Sequence, residues 1–283
     1  MGLKKVEISN KSINNLPIKP LLRWAGGKNW LIKHLPSILP KTGYKNYHEP
    51  FLGGGSVFLS IHPENSAFLS DLNNELIITY SAVKDNPEKV IKILKTFKND
   101  EDFYYKLRGT YFADPIKIAA RFIYLNQTSF NGIYRVNLKG EYNVPFGFRK
   151  KNFCDPNNLR QVSLALRNAK LFSADFEEIK SNIKKRDLVF LDPPYPVSHN
   201  GNGFIKYNDK LFTIQDLQKL STLIDHIKRK GGYYILTNSA HQTIEDIFSK
   251  GDRLIKYSRA NLIGGLNAER GQTTEYIFTN TIL

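Results

Sequence analysis

The sequence predicts an α/β fold: a parallel sheet interrupted by a long helical insertion. Three observations carry this. Residues 45–52 read as a strand, followed at once by Gly53-Gly54-Gly55 and a helix start at Ser56-Val57-Phe58-Leu59; that order opens a nucleotide-binding βαβ unit. The short apolar run Leu188-Val189-Phe190-Leu191 suits a strand buried on both faces, and it leads into Asp192-Pro193-Pro194-Tyr195. Gly53 and Asp192 stand 139 residues apart, whereas a βαβ unit takes about 30. A helical segment from about 73 to 168 therefore separates early and late strands of one sheet. The expected organisation is a discontinuous α/β domain, 1–72 plus 169–283, with an inserted domain at 73–168.

The elements follow in order. Residues 1–18 are polar, Asn- and Lys-rich, and read as a loose arm. A Gly turn at Gly26-Gly27 leads to a short helix near Trp30–Leu35. Ala67–Ser70 is a second strand, ending at Asp71. Asn86-Pro87, Asp114-Pro115 and Asp155-Pro156 each place a capping residue before a proline in the first helical turn, so helices start there. Residues 130–148 are Gly-, Asn- and aromatic-rich and predict a hairpin or ordered loop. Lys170–Ser173 is a strand ending near Asp175, and 196–212 is a Gly/Asn-rich loop. Ile214, Leu217, Leu220, Ile224 and Ile227 mark an amphipathic helix that ends in Lys228-Arg229-Lys230-Gly231-Gly232. Tyr233–Thr237, Arg253–Tyr257 and Thr274–Thr279 are further strands.

Composition narrows the partners. The 283 residues hold 41 Lys and Arg against 26 Asp and Glu, a net charge of +15. A polyanion, nucleic acid first, fits that balance; a generally lysine-rich proteome would also produce it. No apolar run spans a membrane, and no secretory signal precedes the first strand. Cys154 is the one cysteine, which excludes a disulfide framework and a cysteine metal site and fits a reducing, cytoplasmic setting. The histidines show no metal-ligand spacing, so no metal is expected.

The motifs each admit two readings. Asp192-Pro193-Pro194-Tyr195 fixes an acid, rigid carbonyls and an aromatic ring at the rim of a sheet. That set suits a planar –NH2 group and the ring that carries it; a plain surface proline turn is the other reading. Glu49 to Ser56 is a cofactor loop or a tight strand–helix turn. Asp71, 18 residues after Gly53, is a ribose-binding acid or a helix cap. The loop lacks the Lys-Ser or Lys-Thr end of a triphosphate cradle, which favours a nucleoside cofactor. Trp24 stacks on a ligand or sits in the core. Phe130-Asn131-Gly132-Ile133-Tyr134-Arg135 reads base edges or is a simple Asn-Gly turn.

Six blocks in order resemble the Dam-type DNA adenine methyltransferases, in that family's alpha motif order. They are Arg23 to Lys28, Glu49 to Ser56, Asp71-Leu72-Asn73, Phe130 to Asn137, Asn143 to Gly147, and Asp192 to Tyr195. The resemblance covers nearly the whole chain after residue 20. It implies a Rossmann-like methyltransferase sheet, mixed and mostly parallel, with an inserted helical target-recognition domain. It implies S-adenosyl-L-methionine as cofactor, S-adenosyl-L-homocysteine as product, and double-stranded DNA as partner. Carried over residue by residue, Trp24, Lys28, Phe51, Gly53, Asp71, Asp175, Phe176 and Asp192 are cofactor positions. Asp192, Pro193 and Tyr195 are catalytic. Arg23, Phe130, Asn131, Ile133, Arg135 and Asn137 contact DNA. Arg23 departs from the family's lysine, keeping the charge with different donor geometry.

The expected reaction is methylation of the exocyclic amine of a flipped adenine, in GATC. A longer GAT-containing site, an RNA base methyltransferase and a non-catalytic DNA-binding protein are the alternatives. Loop 196–212, with Phe204, Tyr207 and Phe212, is expected to close over the base, and Arg259 and Arg270 to hold phosphates. The chain is expected to be a monomer or weak dimer, with a cognate restriction endonuclease as a system partner.

Overall fold

The computed structural model describes residues 17–150, 152–195, 212–260 and 272–281. Most of the expected arm and of loop 196–212, including Phe204 and Tyr207, lies outside them, as do Arg270 and the Arg259 side chain.

Seven strands form one sheet: β1 Tyr47–Glu49, β2 Ala67–Asp71, β3 Ala169–Ser173, β4 Leu188–Leu191, β5 Tyr233–Ser239, β6 Arg253–Ala260 and β7 Gln272–Thr279. Their order is β3-β2-β1-β4-β5-β7-β6. The first five are parallel, and β7 lies antiparallel between β5 and β6. The sheet is thus mixed and mostly parallel. The chain steps from β1 out to β2 and β3, then restarts on the other side of β1 with β4 and β5. That reversal opens a crevice at the carboxyl ends of β1 and β4, where open α/β sheets take ligands. All four residues of β4 are buried, as its uninterrupted apolar run requires.

The connection between the neighbouring strands β2 and β3 carries five helices: α4 Asn74–Asp85, α5 Pro87–Leu94, α6 Glu101–Arg108, α7 Pro115–Thr128 and α8 Pro156–Ala165. The proline start signals mark α5, α7 and α8. Asp114 accepts the Lys117 N–H at 2.8 Å and Asp155 the Asn158 N–H at 3.1 Å; Asn86 makes no such side-chain cap. Helices α4 and α6 lack a proline start signal and go beyond the elements expected from the sequence. In α4 the buried face, Leu76, Ile77, Thr79, Tyr80, Ala82 and Val83, includes a polar threonine and the outer face includes apolar Ile78, so the contrast between the two faces is weak in the sequence. In α6 only Tyr104 and Leu107 are buried, which is too little for a period. The expected helix near Trp30 is two single turns, α1 Asn29–Ile32 and α2 Leu35–Ile38.

The sheet divides the core. One apolar cluster joins Leu69 and Phe190 of the sheet with Leu76 and Tyr80 of α4 and Phe122 of α7. On the other face, Val189, Leu191, Tyr234 and Leu236 pack with Leu220 and Ile224 of α9 Ile214–Arg229 and Ile244 of α10 Gln242–Phe248. The remaining short helix, α3 Ser56–Ile61, follows the glycine turn. Among the described residues no helix is long and apolar enough to cross a membrane.

Candidate active site

The alternation of side chains along strands sets one side of the crevice. Phe190, Ile235 and Ile277 share one face of the sheet. Two residues on from Phe190 stands Asp192; two on from Ile235, Thr237; two before Ile277 in antiparallel β7, Glu275. All three side chains therefore meet at the same rim. Asp192 Oδ1 accepts from the Thr237 hydroxyl at 2.7 Å and pairs with Lys28 Nζ at 2.7 Å. Lys28 is only 3% exposed; its ammonium also donates to the Gly26 carbonyl and stands 4.9 Å from the Tyr195 ring centroid. The Tyr195 hydroxyl donates to Glu275 Oε2 at 2.7 Å, and Glu275 is 1% exposed.

Burial lifts the Asp192 carboxyl above its ordinary range, and the charge and hydrogen bond of Lys28 and the Thr237 hydroxyl draw it back. Burial, then the Asp192 and Glu275 charges, push the Tyr195 phenol far up, so it remains a neutral donor. Behind them, Tyr47 donates to Glu49 Oε2 at 2.7 Å on β1. Burial raises the Glu49 carboxyl to about 8, against the Tyr47 hydrogen bond and with help from the Asp192 charge.

The glycine turn forms the next part of the rim. Gly53 has φ +47°, and its N–H donates to Asp71 Oδ2 at 2.9 Å. The other Asp71 oxygen accepts the Asn73 N–H at 3.0 Å. A Cβ on Gly53 would lie 2.6 Å from Trp24 Cδ1, so the indole sits directly on bare backbone. Trp24 also stacks on Tyr134, with centroids 5.2 Å apart and planes 18° from parallel. It thus joins the glycine turn to the 130–148 segment.

Across the sheet, Phe51, Phe176 and Phe212 form an aromatic cluster with centroids 5.3 to 5.9 Å apart. Asp175 accepts the Glu177 N–H at 2.9 Å and starts a 3₁₀ helix, Phe176–Asn182. Asp175, Asp71, Gly53 and Asp192 therefore stand at or just past the ends of the adjacent strands β3, β2, β1 and β4.

The 130–148 segment is an ordered loop held by two isolated bridges, Ser129 with Phe146 and Val136 with Tyr142. Asn131 adopts φ +55° in a 3₁₀ turn, Phe130–Gly132. The Arg23 backbone pairs both its N–H and its C=O with the Asn126 amide, at 2.7 and 2.9 Å. The Arg23 side chain lies on Gly132, where a Cβ would come 2.5 Å from Arg23 Cδ. Arg135 is exposed, its Nε donating to Asn143 Oδ1 at 2.8 Å. Phe130 is 54% exposed, Asn131 is exposed and Ile133 is half-buried. Asn137 is turned to its own loop: Oδ1 accepts the Lys139 and Glu141 N–H groups, and Nδ2 donates to Glu141.

Thr237, Glu275 and Glu49 are residues of this site to which the sequence analysis gave no role. The one sequence signal for the first two is a polar residue at an inward position of a buried strand.

Residues 24–261 match the family model of the D12 class N6 adenine-specific DNA methyltransferases. The chain is 32% identical over 278 residues to Type II methyltransferase M1.LlaDCHI of Lactococcus lactis subsp. cremoris, covering 94% of this chain and 97% of that one. It is 33% identical to Type II methyltransferase M.MjaIII of Methanocaldococcus jannaschii, covering 79% and 85%. A DNA adenine methylase of Serratia marcescens is also 33% identical, over 80% and 84% of the two chains.

Proposed function

The chain belongs to the D12 class of N6 adenine-specific DNA methyltransferases, and from that premise we propose that it transfers a methyl group from S-adenosyl-L-methionine to an adenine swung out of duplex DNA, in the sequence GATC. The observation that carries this reading is the fixed pair Asp192 and Tyr195 at the end of β4, beside the glycine turn of β1 and Asp71 of β2. The rim fits a nucleoside cofactor: the glycine turn, packed against the Trp24 indole, lies between the Asp71 carboxylate and an aromatic cluster. Trp24, Lys28, Phe51, Gly53, Asp71, Asp175, Phe176 and Asp192 would hold it. When bound, it supplies a methyl group on a positively charged sulfur and departs as S-adenosyl-L-homocysteine.

The adenine amine is a poor nucleophile because its lone pair is delocalised into the ring. The Asp192 carboxylate and the Pro193 carbonyl accept its two hydrogens and localise the lone pair on nitrogen. The Tyr195 ring stacks on the base. Asp192 need not remove a proton beforehand; the methylated amine sheds it after transfer. Extruding the base costs a few kcal/mol, and holding both reactants in attack geometry recovers much of the barrier. In this reading residues 73–168 are the target-recognition domain and the rest is catalytic. Arg23, Phe130, Asn131, Ile133 and Arg135 face the base pairs, while Asn137 shapes the loop that presents them.

Methyl incorporation into a GATC duplex tests the reading. Asp192→Ala should lower the rate by about 10³-fold or more, since the carboxylate acts on the reacting amine. A rate near that of the unaltered protein would remove Asp192 from the chemistry. Mapping every methylated adenine on a mixed-sequence plasmid tests the site: methyl groups outside GATC, or on only a subset of GATC, would overturn that assignment.

A further inference from the structure

We propose that Thr237 and Glu275 are positioning residues for the transfer: Thr237 turns the Asp192 carboxylate so that Oδ2 is presented to the substrate amine, and Glu275 fixes the plane of the Tyr195 ring. The inference rests on the function proposed above and deepens it.

A carboxylate oxygen has two lone pairs in its plane. On Asp192 both donors, Thr237 Oγ1 and Lys28 Nζ, meet the same oxygen, Oδ1, each at 2.7 Å. No donor among the described residues reaches Oδ2. The carboxylate is thus held at one end and keeps its acceptor capacity at the other. Both contacts have the short length of charge-assisted hydrogen bonds. Thr237 also lies 3.5 Å from the Leu191 carbonyl; the shorter distance shows that the carboxylate is its principal acceptor. A buried hydroxyl in a central strand costs stability unless it is paired, and Asp192 is that partner.

Tyr195 is held at its hydroxyl and over its ring. The hydroxyl donates to Glu275 on β7 and also meets the Thr237 hydroxyl on β5, and the Lys28 ammonium stands over one ring face at 4.9 Å. The ring plane is then set by groups from separate parts of the chain, and the base must stack on the face opposite Lys28. Four charged or titratable groups surround Asp192: Lys28 before α1, Glu49 on β1, Tyr195 in its own turn and Glu275 on β7. Thr237 on β5 is the neutral donor among them.

The test compares single-turnover transfer to a GATC duplex with the affinities for S-adenosyl-L-methionine and for DNA. Thr237→Val should slow transfer about 10–100-fold, the worth of one hydrogen bond to a charged acceptor, with both affinities within about two-fold of the unaltered protein. Thr237→Ser should recover most of the rate. The acid limb of the rate profile should move to higher pH in Thr237→Val, because a lost donor makes the carboxylate easier to protonate. Thr237→Ala supplies the same readouts where the branched apolar side chain unfolds the strand. Tyr195→Phe and Glu275→Leu should each slow transfer, and the double variant no more than the worse single one. Glu275→Gln, which keeps an acceptor for the phenol, should retain most of the rate.

An unchanged rate and pH profile in Thr237→Val would overturn the first half. Additive losses in the Tyr195–Glu275 pair would overturn the second. If the unaltered protein transfers no methyl group to DNA, the function fails first and this inference with it. If it does, failures among the variants count against the positioning roles alone.

Discussion

Glu49 is a carboxyl group inside a sheet, 3% exposed. Its pKa stands at about 8 in the fold against an ordinary 4.5, chiefly because burial disfavours the charged form. The folded state therefore binds its proton more tightly than the unfolded chain does. The contribution to stability is complete below pH 4.5 and is lost as pH rises through about 8. Glu49→Gln removes this term, so urea denaturation should show the variant gaining on the unaltered protein between about pH 5 and pH 8.5. A constant difference across that range would mean that the carboxyl titrates normally. At this scale the sequence was uneven. Asp192, Gly53 and Asp71 stand in short motifs whose chemistry can be read locally. Thr237 and Glu275 do not: a Thr or a Glu in a strand looks the same whether it faces solvent, core or a catalytic turn.

The 130–148 segment is the element on which target choice depends in the proposed function. Its close packing rests on Gly147, where a Cβ would come 2.5 Å from the Ser129 carbonyl oxygen, backbone against backbone. The Gly147 N–H donates to the Thr128 carbonyl at 2.9 Å, so the strand of the loop cannot move away without losing that bond. Gly147→Ala should cost about 1–3 kcal/mol, visible as a lower urea midpoint. An unchanged midpoint would mean that the loop shifts freely. Arg135 extends from the same element, already braced by Asn143. Arg135→Ala should weaken binding to GATC by about 1–3 kcal/mol and flatten the preference at one base pair, with little effect on unrelated duplexes. Equal losses on all sequences would make it a phosphate contact instead. The Asn-Gly turn and its aromatic flanks were legible in the sequence. Helix α4 was not, because apolar Ile78 on its outer face and Thr79 on its buried face blur the periodicity that marks a helix.

At the scale of the whole molecule, a net charge of +15 faces a polyanionic substrate. Binding to a duplex without GATC should fall about 100-fold or more between roughly 50 and 200 mM salt, as counterions compete for the phosphates. Cofactor affinity should change little over the same range. A flat salt response in a DNA-binding assay would assign the charge to something other than the duplex. The sequence by itself determined the α/β class, the helical insertion between strands, the capped helix starts and the two turns at the rim of the sheet. Each of these depends on a few neighbouring residues and on the period of the chain. Only the tertiary structure decided which residues meet: Lys28 and Thr237 on a single oxygen of Asp192, Glu275 on Tyr195, and Trp24 between Gly53 and Tyr134. Those contacts join residues from separate strands and loops, and they exist only once strand order, register and burial have been fixed together by packing.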